Sequence, residues 1–167
     1  ANLSVKENIA VGAHTRLAKR EDALAKATEV ARLVGMEKML KQSAGSLTIA
    51  GRKCLELARA LSTEPKLLLL DEVMAGLNAT EIQEIVKIIN GIRDSGVTIF
   101  LIEHVMQAVM SLSDYTYVLN QGVMIADGEP REVTSNPAVI EAYLGHGAAG
   151  RIAAIRTVSS RKETADA

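Results

Sequence analysis

The apolar residues of this chain follow helical spacing in two well-separated N-terminal segments. From Glu21 to Val34 the spacing predicts an amphipathic helix, and Gly35 is placed to end it. A second helix is predicted from about Ala50 to Leu61, where leucines and alanines share one face. Pro65 prevents this helix from continuing, because proline lacks the amide proton that a helix interior needs.

Two short apolar runs predict buried strands. Leu67–Leu70 consists of four leucines, and Val97–Ile102 is apolar except for one threonine, so we expect both strands to be covered on both faces. Between them, Asn78 and Glu81 form a capping-box pair ahead of an apolar series with helical spacing. A strand, a helix and a strand within about 35 residues predict a right-handed crossover with parallel strands.

The last third of the chain is predicted to contain shorter elements. A helix is expected from about His104 to Leu112, followed by a hairpin of strands Tyr115–Leu119 and Val123–Ala126 around a Gln-Gly turn. Proline at the first position predicts a final helix, Pro137–Leu144. The glycine- and alanine-rich, then polar, sequence beyond it predicts a flexible tail at residues 146–167.

Composition limits the class of protein. The 167 residues carry 19 Lys and Arg against 20 Asp and Glu, so no basic face is indicated and we predict no nucleic-acid partner. Cys54 is the only cysteine, which excludes an intrachain disulfide and indicates a reducing compartment. The apolar runs are far shorter than the roughly 20 residues that span a bilayer.

Acidic residues and a histidine follow the two predicted strands. Asp71 and Glu72 come directly after the first strand, and Glu103 and His104 after the second. Parallel strands bring their carboxyl ends to one edge of a sheet, where ligands bind in open α/β folds. A carboxylate for Mg²⁺, a base for water and a histidine for phosphate would suit a metal-nucleotide site. The same residues also fit a plain polar strand end and a helix cap.

The run SLTIAGRKCLELARALSTEPKLLLLDEVMAGLNATE resembles the ATP-binding-cassette (ABC) ATPase family from its signature segment to its D-loop, and IFLIEHVM resembles its switch-histidine region. The resemblance implies that Asp71 binds Mg²⁺ through water, that Glu72 is the general base for the attacking water, and that His104 senses the γ-phosphate of ATP. It also implies a D-loop that contacts a second ATPase subunit, in a homo- or heterodimer, through Ala75, Gly76, Leu77 and Asn78.

The signature segment departs from the family pattern. Leu47 to Gly51 occupy the slot of the family's LSGGQ sequence, and the resemblance implies ATP contacts for Thr48, Ala50 and Gly51. Thr48 retains a hydroxyl that can donate to phosphate. Ile49 and Ala50 replace residues whose small size lets the backbone approach the γ-phosphate.

A narrower resemblance comes from VLNQGVMIADGEPREVTSNPAVIEAYLG, which is similar to the C-terminal segment of the ATPase subunits of branched-chain amino-acid importers. It implies ATP and Mg²⁺ as ligands and permease subunits as partners. It also implies a cytoplasmic subunit held peripherally on the inner face of the plasma membrane by that permease.

The implied fold is α/β: a helical subdomain with a degenerate signature at 1–64, and the C-terminal half of a P-loop NTPase core with a mainly parallel sheet at 65–145. None of the 12 glycines is followed by lysine, so the G-x-x-x-x-G-K-[ST] phosphate loop is missing. We therefore expect a fragment of a longer ATPase that is inactive by itself. An ATPase-derived interaction module without hydrolysis is an alternative. A signalling domain with Asp71 as phosphoacceptor is a further alternative, but the additional acids and lysine that it needs are not found.

Overall fold

The computed structural model describes residues 2–144, so the predicted tail at 146–167 lies outside the described residues. The chain divides into two compact units, the first ending at Leu112 and the second beginning at Ser113. The functional division at residues 64 and 65 stays a prediction. Within residues 2–144, no helix combines the length and the apolar character that crossing a membrane requires.

The first unit contains five helices among its described residues. They are α1 (Val5–Ala13), α2 (Arg20–Leu33), α3 (Ile49–Leu61), α4 (Ala79–Asp94) and α5 (Met106–Leu112), with short 3₁₀ turns at Glu37–Met39 and Ala44–Ser46. The predicted helices correspond to α2, α3, α4 and α5. The last of these begins two residues beyond His104, so the histidine lies in the segment that links strand to helix rather than in the helix itself.

Helix α1 was not predicted as a helix, although its start carries a capping box. The Glu7 amide donates to Ser4 Oγ at 3.2 Å, and the Ser4 amide donates to Glu7 Oε2 at 2.9 Å. The two bonds satisfy amides that would otherwise lack partners at the helix start. Val5 and Ile9 are fully buried, and α1 packs against α2 and α3.

The strands β1 (Leu67–Asp71) and β2 (Thr98–Ile102) pair in parallel, as predicted. The expectation that both faces are buried is wrong. Leu68 and Leu70 are buried, whereas Leu69 on the opposite face is 69% exposed and Phe100 of β2 is 51% exposed. The reason is that successive side chains of a strand point to opposite faces, and the core of the described first unit covers only one of them.

The second unit contains the predicted hairpin. Strands β3 (Thr116–Asn120) and β4 (Val123–Gly128) pair antiparallel around Gln121 and Gly122, whose φ angles are +49° and +79°. Two consecutive left-handed residues are typical of the tightest hairpin turns. A short helix α6 (Pro130–Ser135), which was not predicted, precedes the predicted α7 (Pro137–Leu144). The expected α/β class with a parallel strand pair is confirmed.

Candidate active site

Parallel pairing brings the carboxyl ends of β1 and β2 to the same edge. Asp71, the last residue of β1, lies opposite Ile102, the last residue of β2. The contact continues one residue further, because the Glu72 amide donates a 2.9 Å hydrogen bond to the Ile102 carbonyl. The acidic residues and the histidine that follow these strands therefore start from one edge, where open α/β sheets bind ligands.

Glu72 begins a tight turn with a strained backbone. Its φ of +44° lies in the left-handed region, which costs a residue other than glycine about 1–3 kcal/mol. The turn is closed by the Ala75 amide, which donates to the Glu72 carbonyl at 3.1 Å, and by the Leu77 amide, which donates to the Met74 carbonyl at 3.2 Å. The buried side chains of Val73 and Met74 anchor the turn, while the Glu72 side chain stays exposed.

Glu72 and His104 meet at this edge. Oε1 of Glu72 lies 3.5 Å from Nδ1 of His104, and the two side chains are 57% and 62% exposed. A carboxylate and an imidazole so close together, and open to solvent, can face one substrate and exchange a proton with a neighbouring water molecule. The structure thus brings these two predicted residues together, and their chemical roles stay predictions.

Asp71 is an exposed residue at the end of β1. It lines a shallow groove together with Lys53 and Glu56 of α3 and the neighbouring residues of β1. Within the described part of the chain, no three His, Cys, Asp or Glu side chains are grouped as metal ligands. Asp71 therefore offers a single carboxylate to a cation rather than a complete protein-built metal site.

The residues in the signature slot form the first turn of α3. Thr48 is the N-cap, and its Oγ1 accepts a 3.1 Å hydrogen bond from the Gly51 amide. A hydroxyl that accepts a hydrogen bond keeps its own proton for donation, so capping and phosphate binding by Thr48 are compatible. Thr48 and Ile49 are exposed, and Ala50 and Gly51 are half-buried. The three predicted ATP contacts thus lie together at a helix N-terminus.

The predicted D-loop forms the turn between Glu72 and α4. Ala75 and Gly76 are exposed, with φ of +78° at the glycine, and Leu77 is half-buried. Asn78 caps α4, since its Oδ1 accepts from the Glu81 amide at 3.1 Å and Glu81 Oε2 accepts from the Asn78 amide at 2.9 Å. The predicted capping box is confirmed. The exposed part of this turn is open to a partner molecule.

The contact between this turn and Glu103 was not predicted. Oε1 of Glu103 accepts a 2.9 Å hydrogen bond from the Met74 amide, 29 residues away in sequence. The sequence pattern puts Glu103 at a strand end but offers no local signal of its partner. The signal available is the parallel pairing itself, which places the residues after β2 beside those after β1.

Two family models match this chain. Residues 1–75 match the model described as ABC transporter, and residues 123–149 match the model described as branched-chain amino acid ATP-binding cassette transporter. The first match covers the signature segment, Asp71 and Glu72. The second covers β4 and the helices that follow it. The predicted resemblance to this family and subfamily is confirmed.

Proteins with similar sequences are named high-affinity branched-chain amino acid transport ATP-binding proteins. BraF of Pseudomonas aeruginosa is 44% identical over 113 residues, which are 67% of this chain and 44% of BraF. LivG of Salmonella typhimurium is 41% identical over 127 residues, which are 75% of this chain and 50% of LivG. The chain spans about half the length of these curated relatives.

Solved structures of ATP-binding cassettes from ABC transporters resemble this chain in fold. One in an ADP conformation is 26% identical, with a TM-score of 0.75, and the match covers 87% of this chain and 64% of that one. A nucleotide-free cassette is 25% identical, also with a TM-score of 0.75 and the same coverage. The described residues therefore have the fold of part of such a cassette.

Proposed function

Because this chain belongs to the ABC transporter family over the segments 1–75 and 123–149, we propose that it is part of an ATP-binding and hydrolysing subunit of an importer. The cargo we propose is branched-chain or related amino acids, since BraF and LivG carry that name. The observation that carries the catalytic part of the proposal is the 3.5 Å separation of Glu72 and His104 beyond two parallel strands.

Each residue of the proposed site has a distinct role. Glu72 takes a proton from the water that attacks the γ-phosphate of ATP, for which its exposed carboxylate is accessible. His104 lies beside Glu72 and donates to a γ-phosphate oxygen, so it holds the phosphate that the attacking water reaches. Such positioning and charge stabilisation supply most of the rate of phosphoryl transfer.

Asp71 is the proposed contact to Mg²⁺ through water. A single exposed carboxylate fits this ion, because Mg²⁺ keeps several water ligands and takes the rest from one or two carboxylates and from phosphate oxygens. When bound with ATP, the ion neutralises charge that develops on the phosphates. Asp71 precedes Glu72, so the carboxylate for the ion and the proposed base leave the same strand end.

The proposed partners are a second ATPase subunit and permease subunits. Thr48, Ala50 and Gly51 would contact ATP held by the second subunit, with amides at the start of α3 available to phosphate oxygens. The exposed turn from Ala75 to Asn78 would contact that subunit directly.

The permease would dock on the region from Ala10 to Ser43. Val11, Leu33 and Met39 are large apolar side chains exposed there, and such side chains are candidates for burial in a partner. Through the permease the subunit would sit peripherally on the inner face of the plasma membrane. The transported substrate would be selected by other subunits of the importer.

A second candidate function is an interaction module that does not hydrolyse ATP. Two observations favour it for residues 1–167 taken alone. The sequence holds no glycine followed by lysine, and Ile49 places a large exposed side chain where the family pattern has a small residue. The two functions differ in whether the full-length subunit hydrolyses ATP with Glu72 as the general base.

The proposed function is tested by Glu72→Gln in the full-length subunit with its permease. Loss of the base should reduce ATP hydrolysis about 100-fold or more while ATP binding is retained, because the change alters one atom of an exposed side chain. Glu84→Gln, on the exposed face of α4, is the matched control and should hydrolyse ATP like the unmodified subunit. Unchanged turnover in the Glu72→Gln variant would favour a different base and refute the proposed role.

A further inference from the structure

The last residue of β2 and the two residues after it each contact the turn that follows β1. The carbonyl of Ile102 accepts from the Glu72 amide at 2.9 Å, and Oε1 of Glu103 accepts from the Met74 amide at 2.9 Å. Next along the chain, His104 Nδ1 lies 3.5 Å from Glu72 Oε1. The middle contact is the one made by a side chain to the backbone of the turn.

The Met74 amide needs this acceptor. Met74 is 1% exposed, and the adjacent bonds of the turn use its carbonyl and the amides of Ala75 and Leu77. Glu103 Oε1 is the acceptor that the structure gives the Met74 amide. A buried amide that loses its acceptor pays the cost of desolvation, so the turn would have to move in order to satisfy it.

Backbone strain at Glu72 would favour movement of the turn if the hydrogen bond to Glu103 were removed. Glu72 is held with φ of +44°, a backbone strain that persists only where surrounding contacts impose it. The hydrogen bond from the Glu72 amide to the Ile102 carbonyl fixes the first residue of the turn. The hydrogen bond from the Met74 amide to Glu103 fixes the third. Removing the second attachment leaves the hydrogen bond from the Glu72 amide as the one backbone bond that ties the turn to the end of β2 among the described residues.

We propose that Glu103 is a positioning residue, which holds the turn after β1 so that the Glu72 carboxylate faces His104 in the geometry needed for hydrolysis. The kinetic part of this inference rests on the proposed function. Glu103 does not touch the reacting atoms. It acts through the Met74 amide on the backbone that carries Glu72.

The other oxygen of Glu103 makes the inference testable by a conservative change. Oε2 is buried and has no hydrogen-bond partner among the described residues. In Glu103→Gln the amide oxygen can keep the bond from Met74, while the NH₂ group takes the place of an oxygen that bonds to no described residue. Glu103→Ala removes the acceptor altogether.

The first arm of the experiment measures amide hydrogen exchange in the chain of residues 1–167. In Glu103→Ala the Met74 amide should exchange about tenfold faster or more, and in Glu103→Gln at nearly the unmodified rate. The Ser62 amide, which belongs to a residue that is 1% exposed and donates to the Ala58 carbonyl, reports any global loss of structure. An unchanged Met74 rate in Glu103→Ala, with Ser62 also unchanged, would overturn the proposal.

The second arm measures ATPase kinetics in the full-length subunit. Glu103→Ala should lower kcat about 10- to 100-fold with little change in KM for ATP, as expected for a misplaced base, and Glu103→Gln should restore most of the loss. Glu84→Ala, an equal truncation of an exposed glutamate, should match the unmodified subunit.

The outcomes of the kinetic arm are distinct. A normal kcat in Glu103→Ala, or equal loss in the alanine and glutamine variants, would overturn the positioning role. Absence of turnover in the unmodified subunit would refute the proposed function instead, and the exchange arm would still decide whether Glu103 holds the turn.

Discussion

Gly12 of α1 lies so close to Ser62 that a methyl group on its α-carbon would overlap the serine hydroxyl and the Arg59 carbonyl. Ser62 is 1% exposed, and its Oγ donates to the Ile9 carbonyl at 2.8 Å. The residue after α3 is thus hydrogen-bonded to the backbone of α1, close to Gly12. Glycine at position 12 is required by this approach.

Gly12→Ala should therefore destabilise the chain. The added methyl group meets backbone on one side, so α1 must shift, and overpacking of this kind costs about 1–3 kcal/mol. Gly91→Ala is the matched control, because Gly91 is an exposed residue within α4 with no atom near its potential methyl group. It should stabilise by roughly 0.5–1 kcal/mol through better helix propensity. Urea unfolding of both variants measures the difference, and equal effects would contradict the close approach.

The ion pair between Lys26 and Glu64 predicts a pH dependence of stability. Lys26 Nζ lies 2.9 Å from Glu64 Oε1, and this hydrogen bond holds the pKa of Glu64 below its ordinary value of 4.5. A carboxylate whose pKa is lowered by folding adds stability above its unfolded pKa, and that contribution is lost as pH falls through the folded pKa.

Thermal melts of the Glu64→Gln variant should show this pH dependence of stability. The variant should melt below the unmodified chain at pH 7, and the difference should shrink as the pH falls through the lowered pKa of Glu64 in the folded chain, below which the carboxyl is protonated in both states. In a Lys26→Met background, Glu64→Gln should lose most of this dependence, because the partner charge is gone. A difference that does not shrink as the pH is lowered would show that the ion pair is not its cause.

The local signals in the sequence predicted much of the helical framework. Asn78 and Glu81 indicated the start of α4, and Gly35, with φ of +73°, ends α2 as expected. Ser4 and Glu7 carry the same signature, yet α1 was not predicted, since it spans only nine residues and offers a short apolar period. Caps are readable because both partners lie within one turn of the chain.

Contacts between distant segments could not be predicted from local sequence signals. The bond from the Met74 amide to Glu103 joins residues 29 apart, and no spacing rule connects them. The exposure of Leu69 was also missed, because an unbroken apolar run has no polar positions to show which face meets the core. Position in the sheet was predicted for Asp71 and Ile102, whereas the strained turn that aims Glu72 required the structure.

The uncovered face of β1 predicts a strong contrast between neighbouring leucines. Leu68 is 5% exposed and Leu69 is 69% exposed in the same strand. Leu68→Ala should cost about 2–5 kcal/mol in the chain of residues 1–167, because it leaves a cavity in the core. Leu69→Ala should change stability by no more than about 0.5 kcal/mol, since it removes an exposed side chain. Similar losses in the two variants, measured by urea unfolding, would mean that the outer face is covered in solution.

The final prediction concerns nucleotide chemistry in the chain of residues 1–167. Phosphoryl transfer to water depends on groups that hold the γ-phosphate and stabilise its charge, and a phosphate loop supplies a lysine and most of the amide donors for this task. The sequence has no such loop, so Glu72 and His104 lack the phosphate-holding groups that a loop of this kind supplies. We expect weak or no binding of MgATP and no measurable hydrolysis.

Calorimetric titration of MgATP into this chain measures binding, and phosphate release measures turnover. The full-length subunit under the same conditions is the positive control, and Glu72→Gln in each protein separates binding from chemistry. Glu72 is exposed, so the substitution should leave the fold unchanged. The chain of residues 1–167 should therefore give the same weak titration with glutamate or glutamine at position 72. Micromolar binding together with turnover that Glu72→Gln abolishes would mean that residues 1–167 contain a phosphate site of their own, and the prediction would be wrong.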